Sequence, residues 1–233
     1  MVRLDKFIAD ALNITRSEAK AKIKSKAVTV NGTVAKAADM KCGDNDEITV
    51  DGAGISSERF VYIMMNKPEG VISASGGKGY KTVIDLLPDE MKRKGLFPAG
   101  RLDKDTTGFM LITNDGAFAH NILSPSKHID KTYIAVLDKP IDQTIINDFQ
   151  NGMELDGKTL LSAALVPLND GLTTVEITLR QGLYHQIKRM FVSYGITVTQ
   201  LTRISMGGLL LDDTLAPGEC RYLTQDELKQ IIS

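Results

Sequence analysis

The spacing of its apolar runs limits what this chain can fold into more than any other feature. Residues 60–65 form a continuous apolar run, and 109–113, 133–137 and 175–179 are short stretches rich in Ile, Val, Leu, Met and aromatic residues. Each is too brief for an ordinary helix and suits a buried strand. Helical patterns are predicted near 117–123, 143–149, 185–193 and 224–232, at irregular intervals. A doubly wound parallel sheet requires regular alternation of strand and helix. The expected class is therefore α+β, with a mainly antiparallel mixed β-sheet flanked by helices.

The first fifty residues read differently. Leu4, Phe7, Ile8, Ala11 and Leu12 recur at helical spacing. Thr15-Arg16-Ser17-Glu18 has the form of a capping box, a hydroxyl that accepts an orphan N–H and a carboxylate that reaches back. The helix it starts is expected to run to about Lys26. Val28-Thr29-Val30, Asn31-Gly32 and Thr33-Val34 read as strand, type I′ turn and strand, because both central residues of that turn need positive φ. Residues 48–50 read as another strand. The Gly- and Ser-rich stretch 51–57 reads as a linker region. The expected organisation is a small domain at 1–52, a linker at 53–59 and a larger domain at 60–233. Arg16, Lys20 and Lys24 fall at i, i+4 and i+8 on the second helix, with Lys22 and Lys26 beside them, for a local charge of +4 over 16–26. Such a face displaces counterions from a nucleic-acid backbone; it also suits an ordinary solvated helix.

Composition sets outer limits. A chain that is 42% hydrophobic can build a real core, and a formal net charge of −1 means that any nucleic-acid contact is a local patch. Cys42 and Cys220 are the only cysteines, far apart and without a CxxC pair, which gives neither a zinc cage nor a disulfide framework. His120, His128 and His185 lack metal-ligand spacing, and no metal is expected. No stretch approaches a membrane span, and the first residues lack a signal peptide's apolar run. A soluble cytoplasmic protein is expected.

The most unusual stretch is Pro98-Ala99-Gly100-Arg101-Leu102-Asp103-Lys104-Asp105-Thr106-Thr107-Gly108. It puts carboxylates, cations and hydroxyls on one loop directly before an apolar strand, where catalytic groups tend to sit. A polar turn capped locally by Asp105 or Thr106 has the same composition. Gly76-Gly77-Lys78-Gly79-Tyr80-Lys81-Thr82 superficially suggests a phosphate loop. Tyr80 separates Gly79 from Lys81, so the required Gly-Lys-Ser/Thr ending is missing, and the segment reads as a flexible surface loop.

Several groups of residues carry resemblances to known families. Arg3-Leu4-Asp5-Lys6-Phe7-Ile8, Thr15-Arg16-Ser17-Glu18-Ala19 and Val28-Thr29-Val30-Asn31-Gly32 resemble the S4 RNA-binding domain, over roughly residues 1–50. That family usually has Gly shortly before the Val-x-Val-Asn-Gly strand; Lys26-Ala27 stands there here, and a small change in the turn with binding retained is expected. The resemblance implies RNA contacts by Arg3, Lys6, Arg16, Lys20 and Lys24. Gly100-Arg101-Leu102-Asp103-Lys104-Asp105-Thr106-Thr107-Gly108 resembles the active-site motif of the RsuA/RluA group of pseudouridine synthases, with Phe109 where Leu is common. It implies that Asp103 is the essential catalytic aspartate, with Arg101 in support, and that Asp105 is part of the loop and not the catalyst.

Three further elements resemble the same group. Asn66-Lys67-Pro68 resembles its Asn-Lys-Pro element, and Lys131-Thr132-Tyr133 resembles the motif carrying an active-site tyrosine, here Tyr133. Residues 181–191 resemble its third motif, in which a basic residue pairs with the catalytic aspartate. That position is Lys188 here, often Arg in relatives; Lys keeps the charge and loses the two-pronged geometry. Gln181 stands where an acid is common. The resemblance also implies RNA contacts by Lys67, His185 and Arg189. Taken alone, these residues make a strand-ending turn, a strand aromatic and a charged helix.

Together the resemblances imply a ribosomal RNA pseudouridine synthase. Such an enzyme flips out a uridine, breaks the N1–C1′ bond and rejoins the base through C5. No cofactor is expected, because the isomerisation involves no net redox change. Tyr184-His185 before Gln186 favours the branch acting on 16S rRNA; relatives acting on 23S rRNA more often show Asn-Arg there. Two alternatives come from other classes. One is an RNA-binding ribosome-assembly factor without turnover. The other is a glycoside hydrolase using Asp103 and Asp105 as its acid pair, although residues two apart poorly support carboxylates flanking one bond. The chain is expected to act as a monomer on ribosomal RNA or an assembly intermediate, with no membrane partner.

Overall fold

The protein was analysed as a computed structural model describing residues 1–12, 14–43, 46–55, 60–124, 127 and 129–232. It divides into two compact units, Met1–Val61 with Arg93–Gly95, and Tyr62–Lys92 with Leu96–Ser233.

The smaller unit contains β1 (Val2–Arg3), α1 (Leu4–Ala11), α2 (Arg16–Lys24), β2 (Val28–Val30), β3 (Thr33–Val34), β4 (Lys41–Cys42), β5 (Ile48–Val50) and β6 (Ala53–Ile55). Leu4, Phe7 and Ile8 of α1 and Ala19 and Ile23 of α2 share a core with Val28, Val30, Ile48 and Val50. The capping box at α2 is formed: the Thr15 hydroxyl accepts from Glu18 N–H at 3.2 Å, and Thr15 N–H donates to the Glu18 carboxylate at 2.7 Å. Strands run in the order β3-β2-β5-β6, all antiparallel, while β1 pairs with β4. Asn31 and Gly32 both take positive φ, 50° and 75°, as their turn requires.

Two local expectations need correction. Asp51 and Gly52 also take positive φ, 53° and 81°, and close a second tight hairpin in which β6 pairs with β5. The first half of the segment read as a linker is thus a strand. Asp-Gly is itself a hairpin signal, hidden there among small residues. Residues 56–59 of the expected linker lie outside the described residues, as does His128. The turn after α2 is not altered either. Lys26 adopts φ 64°, with Lys26 N–H bonded to the Ile23 carbonyl and Ala27 N–H to the Lys22 carbonyl, both at 3.1 Å. This is the helix-ending pattern that usually places Gly at the left-handed position. Lys26 keeps the turn and bears its backbone strain.

The larger unit comprises β7 (Tyr62–Lys67), β8 (Phe97–Ala99), β9 (Thr107–Thr113), α3 (Gly116–Leu123), β10 (Lys131–Leu137), α4 (Gln143–Asn151), β11 (Glu154–Leu155), β12 (Lys158–Thr159), β13 (Ala164–Pro167), β14 (Thr174–Leu179), α5 (Gln186–Val192), β15 (Val198–Met206), β16 (Leu209–Leu210), β17 (Cys220–Tyr222) and α6 (Gln225–Ile232). Its main sheet follows the order β13-β14-β10-β15-β9-β7-β17, with β16 added to β15 and β8 to β9. Among the described residues the one parallel pair of this sheet is β15 with β9, where Thr202 faces Thr107 and Arg203 faces Gly108. The fold is α+β with a mixed, mainly antiparallel sheet.

Ile145 and Phe149 of α4 and Ile187, Met190 and Phe191 of α5 pack with Ala135, Val175, Ile177 and Leu201 of the sheet. Ala119 and Ile122 of α3 and Leu228 and Ile231 of α6 form a second core with Met64, Phe109 and Leu111. The parallel pair depends on Gly108. Its φ is 95°, and a Cβ there would lie 2.2 Å from the Arg203 carbonyl oxygen. The strand leaving the Gly-Arg-Leu-Asp loop therefore lies flush against β15. There the buried Arg203 donates from Nε to the Phe109 carbonyl at 2.7 Å.

Replacing Lys26 by Gly should relieve the left-handed strain and stabilise the smaller unit by about 1 kcal/mol. Chemical denaturation of the full chain measures this, and an unchanged or lowered midpoint would contradict it.

Candidate active site

Residues 100–106 form the loop of the hairpin joining β8 to β9. Four fastenings hold its backbone. The Ser73 hydroxyl donates to the Leu102 carbonyl at 2.8 Å and accepts from Leu102 N–H at 3.0 Å. Gly70 N–H donates to the Lys104 carbonyl at 2.8 Å. Within the loop, Thr106 N–H donates to the Asp103 carbonyl at 3.1 Å. Lys67, at the end of β7, donates its ammonium to the carbonyls of Thr106 at 2.7 Å, Pro68 at 3.1 Å and Lys104 at 3.3 Å.

Lys67 thereby departs from its expected role. It is 0% exposed, so it cannot meet an RNA phosphate. Burial pushes its ammonium down to about 8, against the opposing pull of Asp105 and Asp103. It fastens the loop from below, and a positive residue in a turn carries no sequence signal that separates that task from phosphate binding.

The loop's side chains face an open cavity of about 90 Å³, lined among others by Arg101, Asp103, Tyr133, His185 and Lys188. The side chain of Asp103 is 29% exposed, and each carboxylate oxygen has its own neighbour: His185 Nε2 lies 3.4 Å from Oδ1 and Lys188 Nζ 3.6 Å from Oδ2. The expected ammonium is thus beside the carboxylate, but its nearer partner is Asp105, at 2.5 Å. The hydrogen bond from Lys188 holds the Asp105 carboxyl below its usual range. Lys188 bridges the two acids of the loop. Arg101 is exposed and makes no ion pair among the described residues. Tyr133 is half-buried on β10, its ring against the α4/α5 core and its position on the cavity wall.

The opposite wall is the turn between β14 and α5. His185 takes φ 48° and ψ 35°, a left-handed conformation uncommon for a non-glycine residue. Leu183 N–H donates to the Gln186 side chain at 3.0 Å, which ties the turn to the helix. Gln181, where an acid is common in relatives, accepts from Leu161 N–H at 2.5 Å. That partner is distant in sequence, so the substitution had no reading there. Arg189 is turned from the cavity toward the Tyr184 carbonyl and the Asp156 carboxylate.

Ser73 and Arg203 escaped the sequence analysis. Ser73 sits in an unremarkable loop. Arg203 does carry a signal, the lone charged residue of β15. In the smaller unit the expected RNA-contacting cations divide. Arg3 and Arg16 each lie 3.0 Å from the buried Asp5, and hydrogen bonding from Arg3, then Arg16, holds that carboxyl down at about 2. Lys6, Lys20 and Lys24 are exposed and make no ion pair among the described residues.

Comparison with known proteins decides what this arrangement belongs to. A sequence model for RNA pseudouridylate synthases matches residues 61–193, and one for the S4 domain matches residues 2–48. The chain belongs to the RNA pseudouridylate synthase family. It is 46% identical to an uncharacterized RNA pseudouridine synthase, YtzG, of Bacillus subtilis, over 97% of each chain. It is 41% identical to the ribosomal small subunit pseudouridine synthase A of Vibrio cholerae, over 99% of each. The corresponding protein of Escherichia coli is 37% identical, over 99% of this chain and 100% of that one. A crystal structure of a pseudouridylate synthase superposes with a TM-score of 0.69 at 36% identity, covering 99% of this chain and 100% of that one. Within this RNA pseudouridylate synthase, no helix among the described residues is long and apolar enough to cross a membrane.

Changing Lys67 to Met in this synthase should release the loop and lower turnover on RNA at least about tenfold, the equivalent of one to two lost hydrogen bonds. The dependence of RNA affinity on salt should stay that of the wild type. A fall of about one in that slope would restore Lys67 as a phosphate contact.

Proposed function

We propose that this synthase converts a uridine of 16S ribosomal RNA to pseudouridine, with Asp103 as its catalytic carboxylate and residues 1–52 as an RNA-binding domain. One observation carries the reading. A partly exposed carboxylate lies between an imidazole and an ammonium in a cavity also lined by an aromatic ring and by a guanidinium that makes no ion pair among the described residues. The 16S target is supported by the small-subunit relatives, which align end to end with this chain, and by Tyr184-His185 before Gln186.

The chemistry follows from the substrate. A uridine in structured RNA hides its glycosidic bond and must be flipped out, at a cost of about a few kcal/mol. Tyr133 stacks on the extruded base, and the exposed Arg101 fills the vacated place. The N1–C1′ bond breaks while Asp103 acts. The uracil stays bound, turns, and forms the C5–C1′ bond; C5 then loses its proton and N1 gains one. Attack on C1′ and removal of a ribose proton both use the carboxylate in its ionised form. Lys188, pinned by Asp105, holds one side of that carboxylate and His185 the other. The exposed Lys6, Lys20 and Lys24 supply the long-range attraction to the backbone. The cytoplasm, where rRNA is made and assembled, is its place of action.

Asp103→Asn should abolish pseudouridine formation while RNA affinity stays within about threefold of wild type, a change worth less than 1 kcal/mol. Measurable turnover by this variant would remove Asp103 as the catalyst. Pseudouridine mapping in a deletion strain should show one 16S site lost, whereas a missing 23S site would move the target to the large subunit. Replacing Lys6, Lys20 and Lys24 together by Ala should lower the salt slope of RNA binding by about two to three. An unchanged slope would show that these cations are not the anchor.

A further inference from the structure

His185 is placed beside Asp103, and Tyr184 is placed on His185. The two rings lie face to face, with centroids 3.8 Å apart and planes 17° from parallel. Tyr184 is nonetheless 69% exposed, and its hydroxyl makes no hydrogen bond among the described residues. Its chain neighbours Leu183 and His185 line the Asp103 cavity, which puts the ring at the rim and not inside. A single exposed aromatic is ordinary on a protein surface. This one is held by a left-handed backbone at His185, φ 48°, a conformation that costs about 1–3 kcal/mol and tends to persist at functional sites. Arg189 fixes the segment further by donating to the Tyr184 carbonyl at 3.2 Å.

We propose that the exposed face of Tyr184 is a stacking platform for the nucleobase next to the flipped uridine in the RNA strand. The inference rests on the reading of this cavity as the uridine site. The target base has its own aromatic partner, Tyr133, on the cavity wall, so a ring at the rim serves a different base. Stacking on an aromatic side chain is the usual way a protein holds an unpaired base, and it tolerates any base identity. The exposed Arg101 supplies positive charge beside the flanking backbone. A base seated on Tyr184 extends a column that runs from base to Tyr184 to His185 and ends on the Asp103 carboxylate. Occupancy of the platform thereby orders the histidine that faces the catalytic oxygen.

The test uses binding, so an error in the rRNA target leaves it interpretable. Fluorescein-labelled pentauridylate is compared with the same strand carrying an abasic ribose on one side or the other of the central uridine, by anisotropy at fixed salt. For the wild type, removing the base on one flank should weaken binding about tenfold, in the range of a single stacked base. Tyr184→Ala should bind all strands alike, at the affinity the wild type shows for the weaker abasic strand, with an unchanged melting temperature. Tyr184→Phe and Tyr184→Trp should keep the wild-type pattern. Three results would overturn the platform: no abasic penalty in the wild type, the same penalty in Tyr184→Ala, or a Tyr184→Phe variant as weak as Tyr184→Ala. A wild-type protein that shows no abasic penalty yet modifies rRNA would count against the platform alone. Intact discrimination without any rRNA modification would count against the proposed reaction alone.

Discussion

The candidate catalytic loop is held through its backbone by an ammonium that makes no ion pair among the described residues. Lys67 is buried under residues 100–106 and meets three main-chain carbonyls. Burying a lone ammonium is costly, and its lowered pKa records that cost. The carbonyls offset it, and so do the two loop carboxylates above. Because the fastening uses backbone groups, the side chains of Arg101, Asp103 and Asp105 remain turned outward. Ser73 does the same at Leu102 with one hydroxyl serving as donor and acceptor. A loop held in this way is presented to substrate as a rigid surface, which general acid–base or nucleophilic chemistry needs.

The charges around that loop are layered. Below it lie buried cations: Lys67; Arg203, bonded to the Phe109 carbonyl; and Lys131, pushed down to about 8 by burial, with Arg203 adding to that push. The loop itself is acidic. Lys188 closes the layer from the side and is shared between two carboxylates, the nearer being Asp105 and not Asp103. A flexible lysine with two anchors gives up the two-pronged geometry of an arginine and recovers a fixed position from the second acid. Asp105 therefore fixes the ammonium that also faces Asp103.

The small unit divides its cations between two tasks. Arg3 and Arg16 converge on a buried Asp5 that joins the start of α1 to the start of α2. Lys6, Lys20 and Lys24 make no ion pair among the described residues and stay in solvent. Both sets look alike as positive residues in the sequence; only the position of one carboxylate separates the cations that hold the fold from the exposed ones.

Local chemistry was legible in the chain. The strand runs, the helix positions, the Thr15 capping box and the Asn31-Gly32 hairpin depend on neighbours within a few residues, and pattern alone places them. The Gly-Arg-Leu-Asp loop was legible for a different reason: its residue order is so particular that resemblance to a family identified Asp103, Tyr133 and Lys188 as candidates. Where reading failed, the missing partner was remote. Lys67 looks like a phosphate contact until three carbonyls surround it, one of its own turn and two from the hairpin far along the chain. Gln181 is unintelligible without Leu161, and Lys188 without its unequal distances to two acids. Asp51-Gly52 looks like slack until β5 and β6 pair across it. Sequence by itself determined the local elements and which residues are candidates for the chemistry. Only the tertiary structure decided which of them face the cavity and which hold it together, because burial and hydrogen-bond partners come from packing between segments that no local pattern records.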